Sequence, residues 1–327
     1  MKTCQVCSKT EGIGIKYMEV SAEKQGDLAR RSPRLIKILK NAQLRAPYLF
    51  IAPAFIIVLV FQTFPAIIGL ALSFTKYSGL QPPEFIGLRN YLRMVDDPLF
   101  WNGVRVTLYY VIGTVIPSTF LSLALAMALN TRWLWFKGFI RSVYFLPSVV
   151  SLVTIALVWQ WILNPAIGPL NHILNSLGLP RQQFLGDPRQ AMPIMIIVGI
   201  WRSLGFNMVI YLAGLQGIDR SYYEAALVDG ANRWQAFRHI TWPLLWPATF
   251  FIISIGVIAG FQLFDQVVVM TNGGPINATR VLVFYLYDVA FTELIFGYGS
   301  AMAVALFILM LGFTYFQFRY FHGDVEY

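Results

Sequence analysis

Few residues in this sequence have the types and the spacing that catalysis or metal binding requires. The two cysteines, Cys4 and Cys7, form a single C-x-x-C pair, and the three histidines lie far apart along the chain. A zinc site needs about four ligands, so we interpret the cysteines as two reduced thiols and predict neither a metal site nor a catalytic residue. The sequence also has no G-x-x-x-x-G-K-[ST] phosphate loop. Any ATP hydrolysis would therefore have to come from another polypeptide.

A second group of polar residues lies inside long apolar stretches. Its members are Arg202, Asn207, Tyr211, Gln262 and Asp265. Polar side chains inside a membrane-spanning helix usually face a cavity. At helical spacing, Asn207 and Tyr211 fall on one face. Gln262 and Asp265 are predicted to fall on one face of the helix formed by the next stretch. We predict that these five residues line the path of a solute, and the alternative is that Asp265 is hydrated or paired with Arg202.

The densest pattern of polar residues lies between two apolar stretches, in 221–247, which reads SYYEAALVDGANRWQAFRHITWPLLWP. Ser221 followed by Glu224 has the spacing of a capping box, which predicts the start of a helix. Gly230 suits the left-handed residue that ends a helix. This segment therefore predicts a capped helix that ends at a bend.

A second helix is expected directly after that bend. Asn232 can cap it, with Gln235 at the third helical position. Arg238 and His239 are expected in its last turn, where a cation complements the helix dipole. Pro243 is then expected to open the next apolar stretch. A folded helix–glycine–helix element at a membrane surface indicates a docking site, although an amphipathic loop that rests on lipid would show a similar pattern.

The composition of the chain is that of an integral membrane protein. The 327 residues are 57% hydrophobic and 13% charged, and the mean hydropathy is +0.60, whereas soluble domains are about one quarter charged. This excludes an ordinary soluble enzyme. The net charge of +9 would indicate nucleic acid in a soluble protein. Here we attribute it to membrane topology and expect lipid, and no nucleic acid, as a partner.

Six apolar stretches are long enough to cross the hydrocarbon core, which takes about 20 residues. They lie near 48–74, 104–129, 143–163, 191–216, 244–269 and 298–318. With the N-terminus inside, the cytoplasmic segments hold seventeen of the 25 Lys and Arg residues and the outer segments hold six. Because Lys and Arg concentrate on the cytoplasmic side, both termini are predicted to be cytoplasmic.

These stretches define the expected domain organisation. We predict a basic cytoplasmic N-terminal tail over 1–46, a domain of six transmembrane helices over 47–320, and a cytoplasmic C-terminal tail over 321–327. The segment 217–243, which we call the coupling loop, is predicted to lie in the cytoplasm. The fold class is therefore an all-α integral membrane protein.

The coupling loop carries a set of residues at fixed spacers. They are Glu224, Ala225, Ala226, Gly230, Ile240, Trp242 and Pro243. The set resembles the EAA motif, EAA-x3-G-x9-I-x-LP, of the inner-membrane permease subunits of binding-protein-dependent ABC importers. It departs from the motif at Trp242, where Leu is usual. The segments MTNGGP at 270–275 and GYGSA at 297–301 are similar to those of the carbohydrate-uptake branch, which includes the maltose and glycerol-3-phosphate permeases.

The resemblance implies a fold, a mechanism and several partners. The fold would be the type I ABC importer permease fold, and the location would be the bacterial inner membrane. The partners would be a second homologous permease chain, two ATPase subunits that bind ATP and magnesium, and an extracytoplasmic solute-binding protein that delivers a sugar or sugar-like substrate. The chain itself would bind no cofactor and would not be an enzyme. The residues that couple to the ATPase would be Glu224, Ala225, Ala226, Asp229, Gly230, Ile240 and Pro243.

Two other functional classes are weighed against this one. A stand-alone secondary transporter often has ionisable residues near the middle of its membrane helices. Acidic residues are nearly absent from the apolar stretches here, which argues against a proton- or sodium-coupled carrier. A membrane-embedded enzyme would need a cluster such as paired histidines with a carboxylate, and the apolar stretches contain no histidine.

Overall fold

A computed structural model of the chain describes residues 42–131 and 135–321. The described residues divide into two compact units, with the boundary between Ile67 and Ile68. Cys4, Cys7, most of the predicted N-terminal tail and nearly all of the predicted C-terminal tail lie outside the described residues. The boundaries predicted for the membrane domain therefore stay predictions.

The described chain is mostly helical. Its helices are α1 (Ala42–Val58), α2 (Phe64–Leu72), α3 (Arg89–Asp96), α4 (Pro98–Asn130), α5 (Lys137–Val149), α6 (Leu152–Ile162), α7 (Pro169–Ser176), α8 (Pro188–Gly217), α9 (Arg220–Val228), α10 (Arg233–Ala236), α11 (Trp242–Leu244), α12 (Trp246–Phe261), α13 (Asp265–Met270), α14 (Leu282–Tyr287) and α15 (Phe296–Phe321). Two short strands, β1 (Thr75–Lys76) and β2 (Glu84–Phe85), pair antiparallel between α2 and α3. Three π-helical turns connect helices, at Leu59–Thr63, Phe237–Thr241 and Asp288–Thr292, and a 3-10 turn lies at Phe184–Gly186.

The helices have the lengths and the composition of membrane spans. Among the described residues, four continuous helical segments are long and apolar enough to cross a bilayer, namely Tyr48–Leu72, Pro98–Asn130, Pro188–Gly217 and Phe296–Arg319. Two further spans are bent pairs: α5 and α6 meet at 98°, and Arg233–Leu244 meets α12 at 61°. The described chain thus has six spans if each bent pair counts as one. The predicted all-α membrane fold is confirmed, with β1 and β2 as a small local addition.

Several predicted spans differ from the observed helices at their ends, and the second, third and fifth differ most. The third begins at Lys137 and not near 143, and it is broken between α5 and α6. The second begins at Pro98 and not near 104, because Asp97 caps the helix and Pro98 fits its first turn. The fifth does not run continuously from 244 to 269. Its helix α12 ends at Phe261, and the chain leaves the helical path before α13 begins at Asp265.

The core of the second unit forms where α4 and α8 pack together with α12. Leu123 and Leu129 of α4, Met208 of α8 and Ile252 of α12 are buried in one apolar cluster. A close approach between α5 and α8 depends on Gly205, since a Cβ there would lie 2.0 Å from the backbone oxygen of Tyr144. The absence of a side chain at this position therefore lets the bent span α5–α6 lie directly against α8.

One end of the second unit carries a compact group of short elements. In the backbone register of the two strands, Lys76 of β1 lies opposite Glu84 of β2. The buried Asn90 of α3 donates hydrogen bonds from its side-chain amide to the carbonyl oxygens of Ser73 and Thr75. These bonds attach α3 to the short strand that precedes it, just before the chain enters α4.

Candidate functional site

A cavity of about 390 Å³ lies among α4, α8, α12 and α13 and the junction of α5 with α6. Four of the five predicted pathway residues line it: Arg202, Asn207, Gln262 and Asp265. The first two come from the middle of α8, Gln262 comes from the segment that joins α12 to α13, and Asp265 is the first residue of α13. Two groups of residues that are at least 55 positions apart in sequence therefore meet around one cavity.

The break between α12 and α13 forms one wall of this cavity. Residues 262–264 are not helical, and non-helical backbone at membrane depth is tolerated where it lines a cavity or is covered by protein. Gln266 holds the broken segment in place, since its amide nitrogen donates to the carbonyl oxygen of Met195 in α8 at 3.0 Å. Its amide oxygen accepts a hydrogen bond from the Tyr110 hydroxyl of α4 at 3.3 Å. Three elements are thereby joined at the break.

Arg202 lines the cavity with unused hydrogen-bonding capacity. Its Nε atom is buried and has no hydrogen-bond partner among the described residues. Within the part of the chain that the structure describes, Arg202 and Asp265 do not form an ion pair. The predicted alternative, in which Asp265 pairs with Arg202, is therefore wrong for this structure. A buried donor without a partner is costly, which makes Arg202 available to a polar group that enters the cavity.

Tyr211 does not reach the cavity. It is fully buried in the core that α4, α8 and α12 share, and its hydroxyl donates to the Thr249 Oγ1 of α12 at 3.1 Å. The prediction that Gln262 and Asp265 share one face of a single helix is also wrong, because α12 ends at Phe261 and Asp265 belongs to α13. Both residues nevertheless line the cavity, since the break turns them toward it.

Helix α4 contributes polar residues to the cavity that were not among the predicted pathway residues. Tyr110, Thr114 and Ser118 line the cavity at a spacing of four residues, and this regular polar stripe in an apolar helix was a signal that could have been used. Gly199 of α8 lies directly opposite, because a Cβ there would lie 2.4 Å from the Tyr110 hydroxyl. The small residue lets Tyr110 lie against α8.

The first helix of the coupling loop is capped two residues earlier than predicted. Asp219 is the N-cap of α9, and its carboxylate accepts a hydrogen bond from the backbone N–H of Ser221 at 2.9 Å. The predicted capping box of Ser221 with Glu224 is wrong, because Ser221 already lies inside the helix. Since Glu224 is not used for capping, its exposed carboxylate has no hydrogen bond or ion pair within the described chain.

Gly230 ends α9 as the sequence predicts, with a left-handed φ of 79°. The backbone N–H of Gly230 donates to the carbonyl oxygen of Leu227, and that of Ala231 donates to the carbonyl oxygen of Ala226. This pair of bonds is the Schellman motif. Asp229 is the C-cap residue and is exposed. The bend is thus fixed by hydrogen bonds and by a conformation that favours glycine.

The second helix begins as predicted but does not end as predicted. Asn232 and Gln235 form a capping box with bonds of 2.9 and 2.8 Å. The helix then continues through the π-helical turn Phe237–Thr241, so Arg238 and His239 are not in a last turn. Pro243 lies inside the continuing helix and the bend follows at Leu245. A π-turn shifts the hydrogen-bond register, and the missing N–H of Pro243 fits there.

The coupling loop exposes more apolar surface than its sequence pattern indicated. Its large exposed side chains are Tyr222, Leu227, Val228 and Trp234, whereas Ala226 and Ile240 are half-buried and Ala225 is exposed. The Tyr223 hydroxyl bonds the Thr241 hydroxyl at 2.9 Å and joins α9 to the π-turn. An exposed apolar patch on an element fixed in this way marks an interaction surface.

Residues 118–323 match the family described as "Binding-protein-dependent transport system inner membrane component". The chain belongs to this family. The matched range contains the whole coupling loop and most of the residues that line the cavity. The protein is therefore a permease subunit of a binding-protein-dependent ABC transporter and a multi-pass protein of the inner membrane.

Relatives and a solved structure agree with this assignment. The permease is 36% identical to a probable ABC transporter permease protein of Pyrococcus horikoshii over 285 residues, which cover 86% of this chain and 94% of the relative. It is 35% identical to the trehalose/maltose transport system permease protein MalF of Thermococcus litoralis over 280 residues, which cover 84% and 93%. A chain of a bacterial ABC transporter involved in the import of the acidic polysaccharide alginate superposes with a TM-score of 0.77 at 26% identity, over 90% of this chain and 100% of that chain. The permease thus has the type I importer fold.

Proposed function

We propose that this permease forms, with a second permease chain, the translocation path of an ATP-driven importer for a sugar or sugar-like solute. The observation that carries the proposal is the cavity beside the broken helix, where Arg202, Asn207, Gln262 and Asp265 converge. An extracytoplasmic binding protein delivers the solute, which fits the family to which the chain belongs. The relatives named for trehalose and maltose and for alginate support a carbohydrate as the substrate class.

The chemistry of the cavity suits a solute with many hydroxyl groups. The guanidinium of Arg202 donates hydrogen bonds, the carboxylate of Asp265 accepts them, and the amides of Asn207 and Gln262 do both. Phe206 and Phe264 add aromatic surface to the lining, and aromatic rings offer large apolar faces to a sugar ring. One positive and one negative charge balance within the cavity, so a neutral sugar fits as well as an acidic one.

The coupling loop supplies the contact with the motor. In this proposal two separate ATPase subunits bind ATP and magnesium, and the permease is not itself an enzyme. Glu224, Asp229 and Leu227 are all exposed on or beside α9. A carboxylate without a partner next to exposed apolar surface is the combination that a protein interface uses. The excess of Lys and Arg in the predicted cytoplasmic segments supports a cytoplasmic loop and cytoplasmic termini.

The cavity is tested by removing its amides without changing their size much. We expect Asn207→Leu and Gln262→Leu each to reduce uptake about tenfold, since a hydrogen bond lost in a site without competing water costs about 1–3 kcal/mol. Uptake of labelled maltose, trehalose and alginate oligosaccharides is measured in cells in which the variant replaces the natural permease, and the amount of permease in the membrane is measured alongside.

Gln317 supplies the matched control. It is an amide inside the span α15, it bonds the carbonyl oxygen of Phe250, and it does not line the cavity. Gln317→Leu should leave uptake unchanged at equal membrane levels. Normal uptake by both cavity variants would count against the cavity as the path. If deleting the permease left the uptake of all three sugars unchanged, the carbohydrate class would be wrong.

A further inference from the structure

Helix α3 exposes an apolar face that the importer mechanism does not use. Leu88, at its N-cap, and Leu92 and Val95 within it are all more than 60% exposed. They follow one another at spacings of four and three residues, which places them on one side of the helix. On the opposite side of the helix, Asn90 and Met94 are buried. The exposed apolar face is therefore a separate surface, not part of the core.

This face continues into the exposed face of the next span. The indole Nε1 of Trp101 in α4 donates to the carbonyl oxygen of Val95 at 2.9 Å. From Trp101, exposed apolar side chains run along α4 through Leu108, Ile112 and Ile116. This stripe lies about 200° around the helix from the cavity-lining Tyr110 and Thr114. A span that faces its cavity on one side faces lipid on the opposite side, so the apolar face of α3 joins a lipid-facing surface.

The depth of α3 agrees with this continuity. The 33 residues of α4 give a helix of about 50 Å, longer than the hydrocarbon core of about 30 Å. The ends of α4 therefore extend beyond the core by about 20 Å in total, and we place its first turn and the adjoining α3 in the headgroup region. Trp101 is typical of the membrane interface. Arg105 is exposed on the same side one turn later, where a long side chain can extend to lipid phosphates.

A basic cavity lies beside the apolar face. It has a volume of about 540 Å³, and Lys76, Arg89, Arg93 and Glu84 line it. Arg93 also lies over the ring of Tyr298 at 4.2 Å. Among the described residues none of the three cations forms an ion pair. On α3, Arg89 and Arg93 occupy the sector next to the exposed leucines, with the exposed Asp96 beside them. Cations that border an apolar face are the pattern of a helix that lies on a phospholipid surface.

We propose that α3 and this basic cavity form a phospholipid-binding site at the membrane interface. The acyl chains contact Leu88, Leu92 and Val95, and the headgroup phosphate binds Arg89, Arg93 and Lys76. An anionic lipid such as phosphatidylglycerol binds best, because the cavity holds three cations and one carboxylate. The site anchors the end of α4 at a fixed depth, and it is independent of the solute that the permease carries.

The first test measures where α3 lies. Cys4 and Cys7 are first replaced by serine in the full chain, and a nitroxide label is then attached at Leu92→Cys or Val95→Cys. The labelled permease is reconstituted with its partner subunits in bilayers of phosphatidylethanolamine and phosphatidylglycerol. Collisions with oxygen and with a water-soluble nickel chelate are compared with those of two reference labels, Ile112→Cys on the lipid-facing stripe and Arg181→Cys in an exposed loop. Labels on α3 should give values between those of the two references, with more oxygen and less nickel contact than Arg181→Cys, as expected for the headgroup region. Behaviour like that of Arg181→Cys overturns the proposal, because it places α3 in water. Protection from both reagents overturns it as well, because it means that a protein covers the face.

The second test measures the headgroup. We expect Arg89→Gln to weaken the binding of phosphatidylglycerol to the detergent-solubilised transporter about fivefold, the effect of one cation near an anionic lipid surface. The control is Arg181→Gln, which removes a cation away from α3 and should leave the affinity unchanged. Lipid titration followed by native mass spectrometry gives both affinities. Equal affinities for the two variants and the natural chain would overturn the proposed phosphate contact, whatever the labels report.

Discussion

At the scale of single residues, Asp97 connects three parts of the chain. Its carboxylate caps α4 by accepting the backbone N–H groups of Leu99 and Phe100, and it accepts the hydroxyl groups of Tyr285 at 2.5 Å and Tyr298 at 2.6 Å. Partial burial raises the pKa of this carboxyl, but the two tyrosine hydroxyls and the backbone bonds outweigh burial and hold the pKa below its usual value. The ionised carboxylate is therefore the form that fastens α4 to α14 and α15.

Asp187 offers an internal comparison for this contact. It caps α8 as Asp97 caps α4, and each is followed by a proline in the first turn. Among the described residues, its side chain accepts a hydrogen bond only from the backbone N–H of Arg189. Loss of an N-cap costs about 1 kcal/mol. We expect Asp187→Ala to cost about that much and Asp97→Ala to cost more, because it also leaves two tyrosine hydroxyls without an acceptor. Thermal unfolding of the purified permease in detergent measures the difference, with about 2–4 °C for each kcal/mol.

The pH dependence distinguishes the carboxylate from the shape of its side chain. A carboxyl whose pKa is lowered in the folded state stabilises above the pKa of the unfolded chain, about 4, and this contribution disappears as the pH falls through the folded pKa. The gap in unfolding temperature between the natural chain and Asp97→Asn should therefore shrink on acidification. A gap that stays constant down to strongly acidic pH would show that charge is not what holds the two tyrosines.

At the scale of elements, the sequence predicts helices and their caps better than it predicts breaks. The box of Asn232 with Gln235 and the left-handed Gly230 were predictable, because each is a local pattern in which a side chain or a glycine meets neighbouring backbone. The Asp-Pro pairs before α4 and α8 were also local signals, and the predicted span starts missed them. The breaks at Val150 and at 262–264 were not predictable from periodicity, because packing against α8 determines them through contacts distant in sequence, such as Gln266 with Met195.

The bend at Gly230 can be tested against an equal bend elsewhere. Gly178 ends α7 with a φ of 72°, and Leu179 donates from its N–H to the carbonyl oxygen of Leu174, as Ala231 does to that of Ala226. Proline fixes φ near −65°, so Gly230→Pro and Gly178→Pro impose the same local strain. We expect Gly230→Pro to abolish uptake while the protein stays in the membrane, because it redirects the coupling loop.

The matched variant decides how this result is interpreted. Gly178→Pro should retain most of the uptake, since α7 lies outside the coupling loop. Membrane levels are measured by immunoblot and uptake by accumulation of labelled sugar. If both variants lost uptake equally at equal membrane levels, the loss would reflect strain in general and would not support a special role for the loop.

At the scale of the whole molecule, the cavity and the coupling loop share the same two helices. α8 carries Arg202 and Asn207 and ends at Gly217, and α9 begins at Arg220. On its other side the loop continues into α12, which leads directly to Gln262. The sequence could predict which residues were polar but not that they would meet, because their convergence depends on a broken helix and on the small residues at which helices approach. We therefore expect a displacement of the loop to act on both walls of the cavity, through α8 on one side and α12 on the other.

The charge of Glu224 provides a direct test of whether the coupling loop docks on the ATPase. Glu224 is exposed and has no partner within the described chain, so reversing its charge should not disturb the fold but should oppose a docking partner of positive charge. We expect Glu224→Lys to reduce uptake at least tenfold and to weaken the retention of the ATPase subunits, since losing one partner of a buried charge pair costs about 2–5 kcal/mol. Glu293→Lys is the control, because Glu293 is exposed in a loop remote from α9 in sequence.

Uptake is measured in proteoliposomes that contain all subunits and the binding protein, and retention of the ATPase is measured by co-purification. Full uptake and full retention with Glu224→Lys would contradict the coupling role. ATP hydrolysis by the permease purified alone would contradict the assignment of the motor to separate chains.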